Sequence, residues 1–239
     1  MFPELNALSR GEKIYILKEL DSLFSNLYEL VDCKWLSSPN SVYRAENKLH
    51  QLRAAAMIGW QIPPTIVTSS INSIKNFYQQ HNQDIIIKPL ANTIIDQGQT
   101  SEFIFTNKVT DQIIQQIEDF DMTPSIFQKN INKQYELRVT VVGNDVFSAS
   151  VDSQSDETTE QDWRRKKLQF KTAELPTQIQ NLCLKLVKNL GLHFGAIDLI
   201  RTPEGEYVFL EINPNGQWVW IENQTGLNIS DSVIEFLNS

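Results

Sequence analysis

The stretch from Phe194 to Trp218, FGAIDLIRTPEGEYVFLEINPNGQW, constrains this chain more than any other. Apolar runs flank Pro203-Glu204-Gly205, the pattern of two short strands joined by a tight turn. A four-residue connection, Thr202 to Gly205, sets Arg201 against Glu206 and Asp198 against Phe209. Side chains alternate between faces along a strand. Asp198, Glu211 and Asn213 therefore share one face, and Ile197, Leu199, Val208, Leu210 and Ile212 share the other. Three oxygen-bearing side chains on an apolar-backed face make a hard-oxygen site. Magnesium suits it, because that ion takes few protein oxygens, keeps several waters and completes its shell with phosphates. The alternative is a hairpin with an ordinary solvated polar face. Tyr207 and Phe209, interleaved on that face, argue for the metal.

A chain of 239 residues can build one large domain or two small ones around a real core. Its 41% hydrophobic and 21% charged residues are ordinary for a globular protein. The net charge of -8 weighs against nucleic acid as a partner, since sequence-independent binding needs a basic surface. No window approaches the ~20 apolar residues of a membrane span. MFPELNALSRGEK has no basic region followed by an apolar one, so no secretion signal is read there. Cys33 and Cys183 stand far apart without neighbours at ligand spacing, which gives neither a zinc site nor a disulfide framework. The expectation is a cytoplasmic chain with no membrane and no nucleic-acid partner.

Taken in order, residues 5 to about 31 predict a helix, with Leu17, Leu20, Phe24, Leu27 and Leu30 recurring at three and four; such a helix permits a homodimer. SSPNS at 37 to 41 reads as a turn, Ala45 to Ile58 as a helix stopped by Gly59, and Ile62 to Val67 as a strand. Ser69 to His81 reads as a helix, Asp84 to Pro89 as a short buried strand, Phe103 to Phe105 as another strand, and Thr110 to Phe120 as a helix. A second unit is expected from Ile126. In it Tyr135 to Val142 and Asp145 to Val151 form a hairpin across Gly143-Asn144. Asp152 to Gln161 is polar and acidic and reads as a mobile loop. A helix opens at Leu175-Pro176, with Pro176 in its first turn, and closes at Gly191; its core face is Ile179, Leu182, Cys183, Leu186, Val187 and Leu190. The last helix runs from Ile229 to Leu237, and Met57 and the tryptophans are read as core or rim.

GAIDLI followed by FLEINPNGQW resembles the C-terminal metal-binding hairpin of the ATP-grasp ligases. Gln217-Trp218, with WIENQTG after it, resembles the branch that matures microviridin-type peptides, the graspetides. KLHQLRAAAMIGWQIPPT is similar to that branch's K-x-x-Q-L…G…IP-x-T pattern. The resemblance implies an α+β ATP-grasp fold, two α+β subdomains with a nucleotide cleft between them, preceded by a helical segment. The expected boundaries are 1–45, 46–125 and 126–239. The family usually carries a further small α/β domain before the helical part, and residues 1–45 match only the final portion of what comes before the two subdomains.

Several residues acquire roles from this likeness. Lys88, ending IIIKP, either snorkels from a buried strand or holds a phosphate; the resemblance implies the phosphate. Lys48 by itself is an ordinary surface lysine, and the resemblance implies a second phosphate contact. Phe127, Gln128, Lys129 and Ile131 in FQKNINK are by themselves a loop, and the resemblance implies the adenine pocket. In YELRVTVV, Glu136, Arg138 and Thr140 share a strand face. Arg138 there suits either a cross-strand acid or a transferring phosphate, and the resemblance favours the phosphate. Arg164, in Asp162-Trp163-Arg164, follows the acidic loop, and 152–166 is a candidate lid. The implied reaction uses ATP and Mg2+ to convert an Asp or Glu side chain of a ribosomal precursor peptide, bound by its leader, into an acyl phosphate. A Ser, Thr or Lys of the same peptide then closes a macrocyclic ester or amide. A ligase adding free amino acids, as ribosomal-protein glutamate ligases do, and a non-catalytic nucleotide- and peptide-binding partner are the other readings.

Overall fold

A computed structural model of the chain describes residues 7–91, 94–96, 101–103, 106–117, 123–160 and 162–239. Two compact units divide it, Met1–Trp35 and Leu36–Ser239. The first is helix α1 (Arg10–Leu30), which starts where Ser9 and Glu12 form a reciprocal capping box. That cap sets the described start at Arg10, later than the expected residue 5. No residue of α1 is buried, so the stripe of Leu17, Leu20, Phe24 and Leu27 lies exposed.

The second unit opens with α2 (Pro39–Ala45) and α3 (Lys48–Met57), where a turn and one helix were expected. SSPNS is a helix start: the Ser38 hydroxyl accepts from the Ser41 N–H and Pro39 takes the first helical position. Asn47 then caps a new helix through the His50 N–H, which breaks the run at Glu46. Met57 ends α3 exposed, outside the core.

There follow β1 (Thr65–Thr68), α4 (Ile71–Gln80), β2 (Ile85–Lys88), the pair β3 (Ile94–Asp96) and β4 (Ser101–Phe103), β5 (Asn107–Lys108), α5 (Asp111–Gln115) and β6 (Ser125–Lys129). The expected Phe103–Phe105 strand and Thr110–Phe120 helix each run partly outside the described residues. Four of these strands form an antiparallel sheet in the order β1-β6-β2-β5. Ile74, Phe77 and Tyr78 of α4 bury its apolar face against Ile85 and Phe127. Because β6 pairs on both sides within this sheet, the boundary expected at 125/126 falls inside a sheet, and the chain leaves it only after Lys129.

The larger sheet contains β7 (Tyr135–Val142), β8 (Asp145–Val151), β9 (Lys171–Thr172), β10 (Phe194–Arg201) and β11 (Tyr207–Asn213), in the antiparallel order β11-β10-β7-β8-β9. Helix α6 (Thr177–Asn189), with Pro176 as its N-cap rather than in its first turn, lays Cys183, Leu186 and Val187 against Leu137, Val139, Val141, Ile197 and Leu199. The opposite face carries Glu136, Arg138 and Asp198. Two further helices, α7 (Val219–Thr225) and α8 (Ile229–Asn238), pack Ile221 and Ile229 with Phe170 and Phe194. The sequence reading missed α7. Its signal was Gly226, which ends the helix at φ 73°, a conformation glycine adopts without steric cost.

The acidic segment expected to be a mobile loop is internally bonded in its described part. Ser153–Ser155 form a 3-10 turn, and the buried Thr159 hydroxyl donates to the carbonyls of Ser153 and Asp156. Gln161 lies outside the described residues. Among the described residues no helix is long and apolar enough to cross a membrane.

Candidate functional site

The β10–β11 hairpin turns one residue later than the spacing suggested. Arg201 pairs with Tyr207, because Thr202 and Glu206 close the turn: the Thr202 N–H donates to the Glu206 carbonyl and its hydroxyl accepts from the Glu206 N–H. The ladder then shifts between Asp198 and Leu199, so that Leu199 pairs with Phe209 and Asp198 with Glu211. Leu210 is the extra residue of a β-bulge. Two assignments change with it. Phe209, expected on the polar face opposite Asp198, is buried in the core beside Trp60, with ring centroids 6.1 Å apart. Leu210, expected on the apolar face, lines the cleft. Paired residues point to the same side of an antiparallel sheet. Asp198 and Glu211 thus face one way, and Asn213, opposite Ala196, joins them.

A cleft between the two sheets is lined by Lys48, Lys88, Arg164, Asp198 and Glu211 together. Each comes from a different element. Lys48 opens α3, and its Nζ donates to the Pro89 carbonyl at 3.2 Å. Lys88 ends β2; burial pushes its ammonium below the ordinary value, and the Glu211 charge offsets part of that. Arg138 pairs across the strands with Asp198, one guanidinium nitrogen donating to both carboxylate oxygens at 2.9 and 3.0 Å. The cross-strand acid that was the alternative for Arg138 is therefore present. Its buried Nε has no hydrogen-bond partner among the described residues. Burial raises the Asp198 carboxyl, with the Arg138 charge opposing. Burial also works against the Glu211 charge, but Lys88, Lys48 and Arg164 outweigh it and hold that carboxyl below its usual range.

A smaller cavity lined by Gln128, Lys129, Ile131 and Ile86 adjoins the first, the two sharing Lys88 and Leu210 as lining. Gln128 donates to the Thr65 hydroxyl at 3.0 Å, while its buried Oε1 has no partner among the described residues. Phe127 is a correction. Expected in the wall of this pocket, its side chain instead packs in the core with Ile74, Phe77 and Ile85, because strand alternation turns it opposite to Gln128.

The segment after the acidic loop straps the cleft. Arg164 is held by two bonds to Asp162, at 2.8 and 2.7 Å. Burial pushes the Asp162 carboxyl up, but the Arg164 hydrogen bonds and charge outweigh it and leave that pKa lowered. Asp162 also accepts from the Thr106 N–H at 3.4 Å, and Arg165 donates to the Thr106 carbonyl at 2.8 Å. Trp163 packs on Phe170 and Trp220, at 5.1 and 5.6 Å between centroids. The sequence reading named only Arg164 here and missed Asp162, although both stand in the same DWR triplet. It also missed the buried Lys133–Glu136 ion pair of 3.0 Å, whose Glu136 lines the cleft on the same strand face as Arg138.

The donor set suits a hard divalent cation on a polyphosphate. Two carboxylates stand opposite one another, an amide lies two pairs along on the same face, and the Glu211 carboxylate accepts no hydrogen bond from a described residue. Asp198, by contrast, is already neutralised by Arg138. Lys48, Lys88 and Arg164 surround the position with the positive charge that a triphosphate requires.

A family profile described as RimK-like ATP-grasp domain matches residues 45–237. A RiPP-associated ATP-grasp ligase of Chryseobacterium gregarium, in complex with ADP and a leader and core peptide, superposes with a TM-score of 0.89 at 32% identity, over 98% of this chain and 71% of that one. The macrocyclase MdnC of Microcystis aeruginosa MRC, bound with precursor peptide MdnA, gives 0.88 at 32% identity over 99% and 74%. A probable alpha-L-glutamate ligase of Trichodesmium erythraeum is 28% identical over 205 residues, 82% of this chain; the chain spans 65% of that relative's length.

Proposed function

The chain belongs to the RimK-like ATP-grasp family and has the ATP-grasp fold, and from that premise we propose that it is an ATP- and magnesium-dependent ligase that cross-links a ribosomal precursor peptide. The observation that carries the reading is the Asp198–Glu211 pair, set across β10–β11 in one cleft with Lys48, Lys88 and Arg164. Asp198, Glu211 and Asn213 would hold magnesium, which would supply positive charge to stabilise the transferring phosphoryl group. Lys48 and Lys88 hold the phosphates, and the adjoining Gln128–Ile131 cavity takes the base. Arg138 orients Asp198 and opposes the rise that burial imposes on its carboxyl. Arg164, fixed by Asp162, presents its remaining donors to the transferring group.

In this reading a substrate carboxylate oxygen attacks the γ-phosphorus of ATP and ADP leaves. The resulting acyl phosphate is attacked at carbon by a hydroxyl or amine of the same peptide. Phosphate departs, the nucleophile loses its proton, and the peptide has lost one water. The strap at 162–165, bonded to Thr106 on one side and packed on Trp220 on the other, excludes the water that would otherwise hydrolyse the acyl phosphate. A leader-bearing precursor is favoured as substrate by the two structural neighbours at 32% identity, both solved with peptides. The glutamate-ligase relative supports a second reading, addition of a free amino acid.

One experiment separates them: incubate the chain with ATP, magnesium, free glutamate and a Thr/Glu/Asp-rich candidate precursor, then weigh the peptide by mass spectrometry. Loss of water per cross-link is the expected result. A gain of one glutamate residue would favour the second reading, and an unchanged peptide with measurable ATP binding would overturn both in favour of a binding partner.

A further inference from the structure

Gln51 stands three residues after Lys48 on α3 and is 3% exposed. Its amide is fully engaged with backbone. Nε2 donates to the Ile212 carbonyl at 2.8 Å and to the Ala45 carbonyl at 2.7 Å, and Oε1 accepts from the Ile212 N–H at 3.1 Å. An antiparallel neighbour would exchange this same pair of bonds with one residue of a ladder. Strand β11 is the edge of its sheet, so Gln51 stands in for one residue of a missing sixth strand. The residue it grips lies between Glu211 and Asn213.

We propose that Gln51 is the positioning residue for the divalent-cation site: by fixing the Ile212 peptide it holds Glu211 and Asn213 in the arrangement that the ion needs. The inference rests on the reading of Asp198, Glu211 and Asn213 as magnesium ligands. Three features give the peptide need of a clamp. The bulge at Leu210 interrupts the ladder immediately before Glu211. The strand ends at Asn213, immediately after. Glu211 accepts no side-chain hydrogen bond from a described residue, so its carboxylate is aimed by its backbone and by the cations around it. Magnesium demands near-ideal octahedral geometry, and a small rotation of this peptide spoils it. The same helix delivers Lys48 to the phosphates, so α3 couples the two halves of the site through a spacing of three residues.

A staple that merely joins α3 to the sheet would cost stability when removed but leave metal dependence alone. The test therefore compares Gln51→Met, which keeps the shape and loses the three bonds, with Gln180→Met, which loses a bond of the same kind, Gln180 Nε2 to the Leu175 carbonyl at 2.8 Å, outside the cleft. ADP binding is measured by calorimetry over a magnesium series, and melting is followed without nucleotide or metal. Gln51→Met is expected to raise the magnesium concentration for half-maximal ADP binding at least about tenfold, the usual effect of removing a group that orients metal ligands. Gln180→Met is expected to lower melting and leave that concentration unchanged. If Gln51→Met does not fold, Gln51→Glu, which keeps the acceptor for the Ile212 N–H, is read by the same shift. A magnesium response equal to that of the unaltered chain overturns the role of Gln51 alone. An unaltered chain whose ADP affinity ignores magnesium overturns the metal reading itself.

Discussion

Glu211 is a half-buried carboxylate with four cationic side chains acting on it and no hydrogen bond from a described residue. Replacing it removes charge from the cleft without breaking a bond that the fold uses. Glu211→Gln is therefore expected to melt within a few degrees of the unaltered chain while its turnover falls on the order of 100-fold, the scale for losing one preorganised electrostatic group. Steady-state ADP release under saturating ATP and magnesium measures it, and undiminished turnover would sink the ligase reading. The two cysteines give a prediction of a different kind. Cys183 is buried under the larger sheet, and burial pushes its thiol up to about 12, whereas Cys33 is exposed. Only the thiolate reacts, and a raised thiol pKa leaves Cys183 protonated at pH 8. A disulfide reagent at pH 8 should titrate one thiol rapidly in the native chain and both in denaturant; two rapid thiols would contradict the packing of α6. Arg138 marks where residue-level reading stopped. Strand alternation put it on the polar face, but whether it met an acid or a phosphate depended on a partner sixty residues away.

At the scale of elements, what sequence made legible was periodicity, and what it hid was pairing. Leu137, Val139 and Val141 alternate with Glu136, Arg138 and Thr140, and the first three are in the core as that alternation requires. Pro203 and Gly205 marked a turn, yet nothing local says that Glu206 belongs to it or that Leu210 bulges, and those two facts decide that Asp198 meets Glu211. The first sheet hid its boundary for the same reason, since β6 inserts between two strands much earlier in the chain. The turn after β11 closes on Arg138 at Gly216. A Cβ there would lie 2.8 Å from Arg138 Nη2 and 2.8 Å from the Ala196 Cβ, and the latter sits on a strand that cannot yield. Gly216→Ala should cost about 1–3 kcal/mol by overpacking and dislodge Arg138 from Asp198. Urea unfolding reads the cost, and full stability would mean that the turn does not pack as described. The strap offers a separate test. Its Trp163–Phe170–Trp220 cluster holds one side while Arg165 binds Thr106 on the other. Trp163→Ala should lose about 1–3 kcal/mol of aromatic contact and raise the ratio of ADP released to cross-links formed, because water then reaches the acyl phosphate. An unchanged ratio would mean that the strap does not shield it.

At the scale of the whole molecule, α1 presents an open apolar surface. Leu17, Leu20, Phe24, Leu27 and Val31 recur at intervals of three, four, three and four, the spacing of a helix that pairs with another helix. All five are exposed, as are Leu23 and Tyr28 beside them. A contiguous apolar stripe from residue 17 to residue 31, about 20 Å along the axis, exceeds the scattered apolar residues that a monomer ordinarily shows to water. A second copy of the same helix fits the repeat, since a stripe with a heptad spacing is complementary to itself in a two-fold pair. The helix keeps its own start whatever covers it, because the Ser9–Glu12 box satisfies its first turn without help from a partner. Charge placed on the stripe should therefore disrupt association and spare the helix. The expected result is a homodimer in sedimentation velocity at micromolar concentration that Leu20→Lys with Leu27→Lys converts to a monomer, with unchanged helical circular dichroism. Neither position lies near the cleft residues in sequence, and both fall in the compact unit that excludes them. ADP binding by the double variant should thus match the unaltered chain at concentrations where both are monomeric. A chain that sediments as a monomer at every concentration, or a double variant that still dimerises, removes α1 as the interface.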